Sequence, residues 1–394
     1  MPLGLYLHVP YCRRVCPYCD FFVLPIGRRH GPPSTGGAGT HRPAQRPEIE
    51  TFVAALVREI ELRARLGGDR QPLATIHLGG GTPSTLTRGE LGRVLAAVHE
   101  HFAVEPDAEI AIEANPEDLT AEHAAALVET GVNRVTLGIQ SLDDAALRVL
   151  GRKHRREQAL AALGAAREGG VRNLGVDLIF GVPGQTRASW NETLDRALDA
   201  APEHLSCYEL TIEAGTELDR ARRLGKIEPC EADLLHQLFV ATHDRLTAAG
   251  YEHYEVSNYA RERRFRSRHN LAYWRHQPYV GVGPSAHSFD GRTRSWNHRD
   301  LGAWLADVEA ARLPIAGSEA LSPLELRREE ILLGLRCVDG FAIEIRGRGA
   351  IPALPEPALA AALASGQLVR DADRVRPTFA GLTIADELAR QLCP

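Results

Sequence analysis

The feature of this chain that most constrains its fold is an alternation of short β-rich runs with helical stretches over its first two thirds. The β-rich runs predict strands at Gly4–His8, Thr75–Gly79, Glu109–Ala114, Arg134–Gln140, Asn173–Ile179 and His204–Thr211. Apolar spacing typical of helices covers Ile49–Leu66, Arg88–His101, Ala121–Thr130, Asp143–Leu150, Arg155–Glu168 and Trp190–Ala200. Strands separated by helices imply βαβ units. They predict an α/β fold, a partial (β/α)6 barrel that stops short of the closed eightfold form.

The alternation stops after about residue 250, and this change predicts the domain organisation. The next segment, Tyr251–Arg299, is dense in aromatic residues and histidines. Beyond it the sequence predicts helices at Asp300–Arg312, Pro323–Arg336, Pro357–Ser365 and Leu382–Leu392, with a short β pattern at Leu368–Val375. We therefore expect a barrel over 1–245, an aromatic and histidine-rich extension over 246–310, and a mostly helical, winged-helix-like C-terminal domain over 311–394. Glycine, proline and arginine enrichment predicts a flexible loop over 25–47.

Composition excludes several classes of function. With 44% hydrophobic residues in 394, the chain can bury a large core. A net charge of −5, without a basic stripe, disfavours a nucleic acid partner, even for a winged-helix-like domain. No apolar run approaches 18 residues and the N-terminus lacks a basic segment. We expect a cytoplasmic protein without membrane insertion.

Three cysteines near the N-terminus, Cys12, Cys16 and Cys19, indicate a metal centre. Cysteine thiolates hold iron–sulfur clusters, and a closed 4Fe–4S cube takes four of them. The position two residues after the third cysteine is Phe21. Three thiolates would leave one iron open to a small molecule. A zinc site is the alternative, although zinc takes four ligands and commonly uses Cys-x2-Cys pairs.

Polar or glycine-rich residues follow the predicted strands repeatedly, and the carboxyl ends of barrel strands meet at one rim. Glycine at Gly79–Gly81 would let backbone approach a ligand closely. Carboxylates at Glu113 and Asp177 suit hydroxyl or ammonium groups, and Arg152 suits a carboxylate. Each has a structural alternative: a tight turn for the glycines, helix capping for the carboxylates, and a solvated charge for the arginine.

Several motifs occur in order and give a resemblance to a known family. They are Tyr6-x-His-x-Pro-x-Cys, Cys-x3-Cys-x2-Cys, Gly-Gly-Gly-Thr-Pro-Ser, Ile-Glu-Ala-Asn-Pro, Leu-Gly-Ile-Gln-Ser and Val-Asp-Leu-Ile-Phe-Gly-Val-Pro-Gly-Gln-Thr. The chain resembles the radical S-adenosylmethionine (SAM) family of oxygen-independent coproporphyrinogen III oxidases and related heme chaperones, from residue 3 to beyond 380. The resemblance implies that the three cysteines hold a 4Fe–4S cluster. It also implies SAM contacts from Tyr6, Tyr18, Gly80, Gly81, Thr82, Glu113, Gln140, Arg152 and Asp177.

Three features favour the chaperone branch of that family. The oxidases have a fourth cysteine where this chain has Phe21, and a long N-terminal extension where only eleven residues precede Cys12. The run His269-Asn-Leu-Ala-Tyr273-Trp274 matches a chaperone motif implicated in heme binding. The resemblance thus implies a heme chaperone that binds the cluster, SAM and one heme, and transfers heme to an acceptor protein. The alternatives are an oxygen-independent coproporphyrinogen III oxidase, acting by radical SAM oxidative decarboxylation, or a radical SAM enzyme for another substrate.

The predicted heme-binding residues are His269, Tyr273 and Trp274. Neutral histidine is a common axial ligand of heme iron, and in a helix the first two would share one face. The alternative is that these aromatics pack the junction between barrel and C-terminal domain. Other candidate axial ligands are nearby, at His253, His276, His287 and His298, and the segment Gly281–His287 is expected to line the mouth of a cavity.

Overall fold

The computed structural model describes residues 3–26, 46–67, 71–344 and 354–393. Its strands form a large twelve-stranded sheet and two small ones. In chain order they are β1 (Leu3–Val9), β2 (Tyr11–Cys12), β3 (Leu24–Pro25), β4 (Leu73–Gly80), β5 (Val104–Ala114), β6 (Arg134–Gln140), β7 (Leu174–Phe180), β8 (His204–Glu209), β9 (Glu252–Glu255), β10 (Asn258–Ala260), β11 (Tyr279–Val282), β12 (His287–Phe289), β13 (Thr293–Asn297), β14 (Ile315–Ala320), β15 (Phe341–Ala342), β16 (Leu368–Asp371) and β17 (Arg374–Pro377).

The large sheet has a parallel centre. Strands β1, β4, β5, β6, β7 and β8 are neighbours in that order and run parallel, as expected for successive βαβ units. The register aligns Val9 with Gly80 and Gly138 with Asp177, so the carboxyl ends of these strands lie at one edge. The predicted α/β partial barrel is confirmed. Strand β11, which extends the parallel set on the other side of β1, and the antiparallel strands at both margins were not predicted.

The helices lie between these strands and in the C-terminal third. They are α1 (Arg46–Leu66), α2 (Arg88–His101), α3 (Ala121–Glu129), α4 (Asp144–Val149), α5 (Arg156–Glu168), α6 (Arg187–Asp199), α7 (Glu217–Arg223), α8 (Ala232–Ala248), α9 (Arg268–Trp274), α10 (Leu301–Glu309), α11 (Pro323–Gly334), α12 (Glu356–Ala364), α13 (Phe379–Leu382) and α14 (Ala385–Leu392). Several begin at a threonine or serine cap. Thr87 and Glu90 form a capping box at α2, which satisfies amide donors that the first turn leaves free.

The main core lies between the sheet and its helices. Strand β1 is buried along almost its whole length, with Leu5, Leu7 and Val9 fully inaccessible. Phe52 of α1, Trp190 of α6 and Trp304 of α10 are equally inaccessible. Successive side chains of a strand point to opposite faces, so Leu5, Leu7 and Val9 of β1 share one face, and Tyr6 and His8 share the other.

A second core lies in the C-terminal part. It is built around Ile331, Phe341, Leu359, Val375 and Leu388, and the helices there pack with a three-stranded antiparallel sheet, β15–β17–β16. This mostly helical composition with a small sheet is as predicted. Strands β9 to β14 belong to the large sheet. The domain boundaries at 245 and 310 stay predictions.

Element bounds follow the sequence prediction closely in the barrel and less closely afterwards. Helix α2 and strand β6 agree end to end. Helices α7, α8 and α13 were not predicted, and the helix predicted at Leu382–Leu392 is α14, which begins at Ala385. The predicted loop over 25–47 falls mainly on 27–45, outside the described residues. In the parts of the chain that the structure describes, no helix combines the length and apolarity needed to cross a membrane.

Candidate cofactor site at the barrel rim

The cysteine loop follows β1 directly and folds back on itself. The Cys19 amide donates to the Cys16 carbonyl at 3.0 Å, closing a turn between the second and third cysteines. Leu24 donates to Pro10 at 2.6 Å and Ile26 to Cys12 at 2.8 Å, so β3 returns alongside β2. The loop is therefore anchored at both ends at the carboxyl end of β1, where the rim of the barrel lies.

The thiols are held by neighbours from other strand ends. Cys12 Sγ lies 3.3 Å from Thr82 Oγ1, and Arg152 Nη1 lies 3.5 Å from Cys16 Sγ. Burial raises the pKa of Cys12 to about 12 and also raises that of Cys19, so both thiols keep their protons until a metal displaces them. Within the described residues, no three His, Cys, Asp or Glu side chains converge on one metal ion. A 4Fe–4S cube does not require such convergence, because each thiolate binds a different iron.

A chain of hydrogen bonds connects Cys12 and Cys16 across the rim. Arg152 Nη2 donates to Asn115 Oδ1 at 2.6 Å and to the Gly138 carbonyl at 2.8 Å. Asn115 Nδ2 donates to Thr82 Oγ1 at 2.9 Å. The ends of β4, β5 and β6 are thus joined to Cys12 and Cys16. Asn115 is not among the residues predicted to contact a cofactor, although its position directly after a predicted strand was a signal for it.

Two carboxylates face the interior of the barrel from β5 and β7. His77 Nε2 lies 3.0 Å from Glu113 Oε1. Asp177 accepts a hydrogen bond from Ser206, and burial, reinforced by the charge of Glu113, raises its pKa to about 7. Among the described residues its Oδ1 atom is buried without a hydrogen-bond partner. A buried carboxylate with an uncommitted oxygen suits a cationic or hydroxyl-bearing ligand group.

The glycines at the end of β4 are needed for packing against the cysteine loop. Gly80 has φ +107°, and a Cβ there would lie 2.6 Å from the His8 ring. A Cβ on Gly81 would lie 2.7 Å from the carbonyl carbon of Pro10. The Gly81 amide donates to Val9 at 2.8 Å. Glycine therefore lets the end of β4 approach the cysteine loop of the protein itself closely.

The other predicted contact residues lie around the same rim. Tyr6, on β1, directs its hydroxyl to His8 Nδ1 at 3.1 Å and stacks on His77 with 6.0 Å between ring centroids. Tyr18 packs against a small apolar cluster that includes Leu150. Gln140 ends β6 with φ 68°, a left-handed conformation uncommon outside glycine, at an irregularity of the strand.

The histidine of the predicted heme motif is buried. His269 and Tyr273 share one face of α9, as predicted, and His269 Nε2 lies 2.9 Å from the Tyr273 hydroxyl. The other ring nitrogen lies 2.8 Å from Thr75 Oγ1, and the ring stacks on His77 at 4.8 Å. Burial lowers the pKa of His269 well below its usual value. Both ring nitrogens are engaged within the protein.

The structure does not bring the whole motif into one place. Tyr273 lines a cavity of about 350 Å³ beside the cysteine loop, together with Phe21, Phe22, His287 and Arg299. Trp274 instead packs near Tyr254, Leu271 and Cys337, where the barrel meets the C-terminal part. A second cavity, of about 180 Å³, lies against Cys16 and Arg152.

The residues at the rim fit the cofactors that the sequence resemblance implies. Three thiols lie together on one anchored loop, which suits an iron–sulfur cluster. Buried polar atoms without partners among the described residues include Asp177 Oδ1, Arg152 Nε and His77 Nδ1. Such atoms are normally satisfied, and a ligand with amino, carboxylate and hydroxyl groups would satisfy them.

Comparison with known proteins agrees with this arrangement. Residues 6–197 match the radical SAM superfamily. The chain is 36% identical over 391 residues to a protein named heme chaperone HemW from Mycobacterium tuberculosis, covering 99% of this chain and 95% of that protein. It is 38% identical over 347 residues to the protein of that name from Synechocystis, covering 86% of this chain and 79% of that protein.

A solved structure shares the fold along the whole chain. It is HemN of Escherichia coli, described as a coproporphyrinogen III oxidase and a radical SAM enzyme, with a TM-score of 0.78 and 23% sequence identity. The match covers 100% of this chain and 90% of that one. The chain therefore belongs to the radical SAM superfamily and, within its coproporphyrinogen III oxidase-like family, to the HemW branch.

Proposed function

We propose that this protein is a heme chaperone, which binds a 4Fe–4S cluster with SAM and one heme and passes the heme to an acceptor protein. The observation that supports this most is the match of 99% of the chain to a protein named heme chaperone at 36% identity. A cavity beside the cysteine loop supports it independently, because several aromatic side chains line it and can pack against a flat macrocycle.

In this proposal Cys12, Cys16 and Cys19 hold the cluster and leave one iron to the amino and carboxylate groups of SAM. A cluster of this kind supplies one-electron chemistry when bound. The chain's own residues position the ligand: Arg152 pairs with the SAM carboxylate, and Asp177 and Glu113 accept from its hydroxyl or ammonium groups. The remaining proposed contacts are Tyr6, Tyr18, Gly80, Gly81, Thr82 and Gln140.

We place the heme near the helix α9 that contains His269, Tyr273 and Trp274. Tyr273 and Phe21 both line the cavity, and Phe21 has 70% of its surface exposed. An exposed aromatic residue next to a cavity is available to stack on a flat macrocycle. We propose that the heme acceptor is a protein and that transfer takes place in the cytoplasm.

Titration of hemin into the anaerobically reconstituted protein tests the proposal. We expect a saturable shift of the Soret band that ends at one heme per chain. The His236→Ala variant, on the exposed face of α8, is the matched control and should behave as the parent protein. A Soret change that rises linearly without saturation would contradict heme binding at a defined site.

A further inference from the structure

The cavity beside the cysteine loop contains two histidines with different surroundings. His8 is almost fully buried, its Nδ1 lies 3.1 Å from the Tyr6 hydroxyl and its Nε2 lies 2.9 Å from the Phe22 carbonyl. His287 is exposed to solvent at the cavity wall. Among the described residues, no hydrogen bond engages its ring nitrogens. Of these two rings, His287 is the one free to bind a metal in the cavity.

Other histidines near α9 are engaged. Both nitrogens of His269 have partners, as described above. His298 Nε2 lies 3.1 Å from Asp307 Oδ2, and His276 Nε2 lies 2.9 Å from Glu329 Oε2. His253 is buried and lies 2.9 Å from His243. Each would have to give up a hydrogen bond or an ion pair before binding iron.

The backbone holds His287 firmly at the cavity wall. It begins β12, and a Cβ on Gly281 would lie only 2.0 Å from the His287 carbonyl oxygen, so β11 and β12 pack very closely there. The preceding turn contains Ser285 at φ 64°, which also lines the cavity. Non-glycine residues in this conformation are concentrated at ligand sites.

The cavity also offers a cation for an anionic group. The exposed Arg299 lines it, and one guanidinium nitrogen lies 3.4 Å from the Asp20 carbonyl. A guanidinium has five N–H donors in a planar fork, so this contact leaves donors for a carboxylate. Phe21 and Phe22 adjoin the same cavity and provide apolar surface. The cavity thus offers an imidazole that can bind the heme iron, aromatic rings that can pack against the macrocycle, and a guanidinium that can pair with a propionate.

We propose that His287 is the axial ligand of the heme iron and that Arg299 binds a heme propionate, within the cavity next to the cysteine loop. The imidazole donates a lone pair to iron, and no electron is transferred in forming that bond. His269 is then a positioning residue, which holds the hydroxyl of Tyr273 at the cavity wall. This inference rests on the proposed heme binding but assigns its ligand to a different residue from the motif histidine.

Hemin titration of variants tests the ligand, followed by Soret absorbance and by electron paramagnetic resonance of the ferric iron. We expect His287→Ala to weaken binding about tenfold or more. It should also lose the imidazole-ligated spectrum, which added imidazole should restore. His269→Ala should weaken binding while keeping that spectrum and the cluster iron content. The exposed His236→Ala is the control. If His287→Ala keeps both affinity and spectrum, the assignment is wrong.

A second pair of titrations tests Arg299 without touching the iron ligand. Arg299→Gln should weaken hemin binding severalfold and leave the spectrum unchanged. Heme dimethyl ester, which lacks free propionates, should bind the parent protein and Arg299→Gln equally. A difference between the two with the ester would overturn the propionate contact. Loss of saturable binding in the parent protein would instead refute the proposed function itself.

Discussion

At the scale of single residues, Asn115 determines how the arginine at the rim is oriented. Its side chain accepts from Arg152 and donates to Thr82, so one amide fixes two predicted SAM contacts. Arg152 is almost fully buried, and a buried guanidinium without such a partner would turn toward other acceptors. Asn115 therefore acts on the ligand through Arg152.

The first prediction concerns this residue. Asn115→Ala should weaken SAM binding by about tenfold, since a hydrogen bond to a charged group contributes about 1.5–3 kcal/mol. The iron content after reconstitution should stay unchanged, because all three cysteines remain. Equilibrium SAM binding and iron analysis measure the two effects. Asn191→Ala on α6, away from the rim, is the control; equal loss in both variants would contradict the assignment.

Glu255 gives a prediction about pH. It is fully buried, and burial raises its pKa to about 7, although the Ser257 amide donates to it at 3.2 Å. In the unfolded chain its pKa is near 4.3. The folded state therefore binds the proton more tightly, and this stabilisation is present at low pH and is lost as the pH rises toward 7.

Glu255→Gln has no titratable group at this position, so it should not lose stability there as the pH rises toward 7. At pH 5 the side chain is neutral in the folded parent protein but largely ionised in its unfolded chain, so the variant should be more stable by only about 1 kcal/mol. At pH 8 the variant should be more stable by about 3 kcal/mol, because the parent buries a charge. Urea unfolding followed by tryptophan fluorescence at both pH values measures the difference, with the exposed Glu122→Gln as control. A stability difference that is independent of pH would contradict the argument.

At the scale of elements, the position of α9 depends on β5. The Glu109 carboxylate accepts from the amides of Arg268 and His269, at 3.2 and 3.0 Å, and lies 3.6 Å from Arg134. The first turn of a helix has amides without internal partners, and a buried carboxylate satisfies two of them here. The Ser267 hydroxyl accepts from Asn270 and caps the same turn.

Removing that carboxylate should loosen α9. Glu109→Ala leaves two amides without their acceptor and removes the carboxylate that faces the buried Arg134, so we expect a loss of about 3 kcal/mol in the free energy of unfolding. Glu105 lies on the same strand and pairs with Arg268 near the surface, so Glu105→Ala should cost under about 1 kcal/mol. Thermal unfolding of both variants measures the contrast. Equal costs would show that the buried contact is not what holds α9.

The elements also show what the sequence predicts well. The βαβ alternation is local, and its topology brings every strand end to one rim, so Cys12, Glu113 and Asp177 could be grouped from the sequence. The partners of His269 could not be predicted from the sequence, because Thr75 lies 194 residues away along the chain. The sequence predicts the helical face that His269 shares with Tyr273, but burial and stacking on His77 depend on how α9 packs against β4.

At the scale of the whole molecule, the C-terminal part is attached next to the proposed heme site. The Val256 amide donates to Arg336 at 2.8 Å and the Val338 amide to Tyr254 at 3.1 Å, so the segment after α11 pairs with β9 and the turn that follows it. Trp274 packs in the same junction. Of the aromatic residues that could have packed the junction between the barrel and the C-terminal part, Trp274 does so, while Tyr273 lines the cavity.

The central claim is that this chain carries heme and does not oxidise its precursor. One anaerobic measurement tests it most directly: a single reconstituted preparation, with SAM and reductant, is incubated with coproporphyrinogen III and in parallel titrated with hemin. We expect one heme bound per chain and no protoporphyrinogen. Repeated turnover to protoporphyrinogen, without saturable heme binding, would contradict the account and establish the oxidase instead.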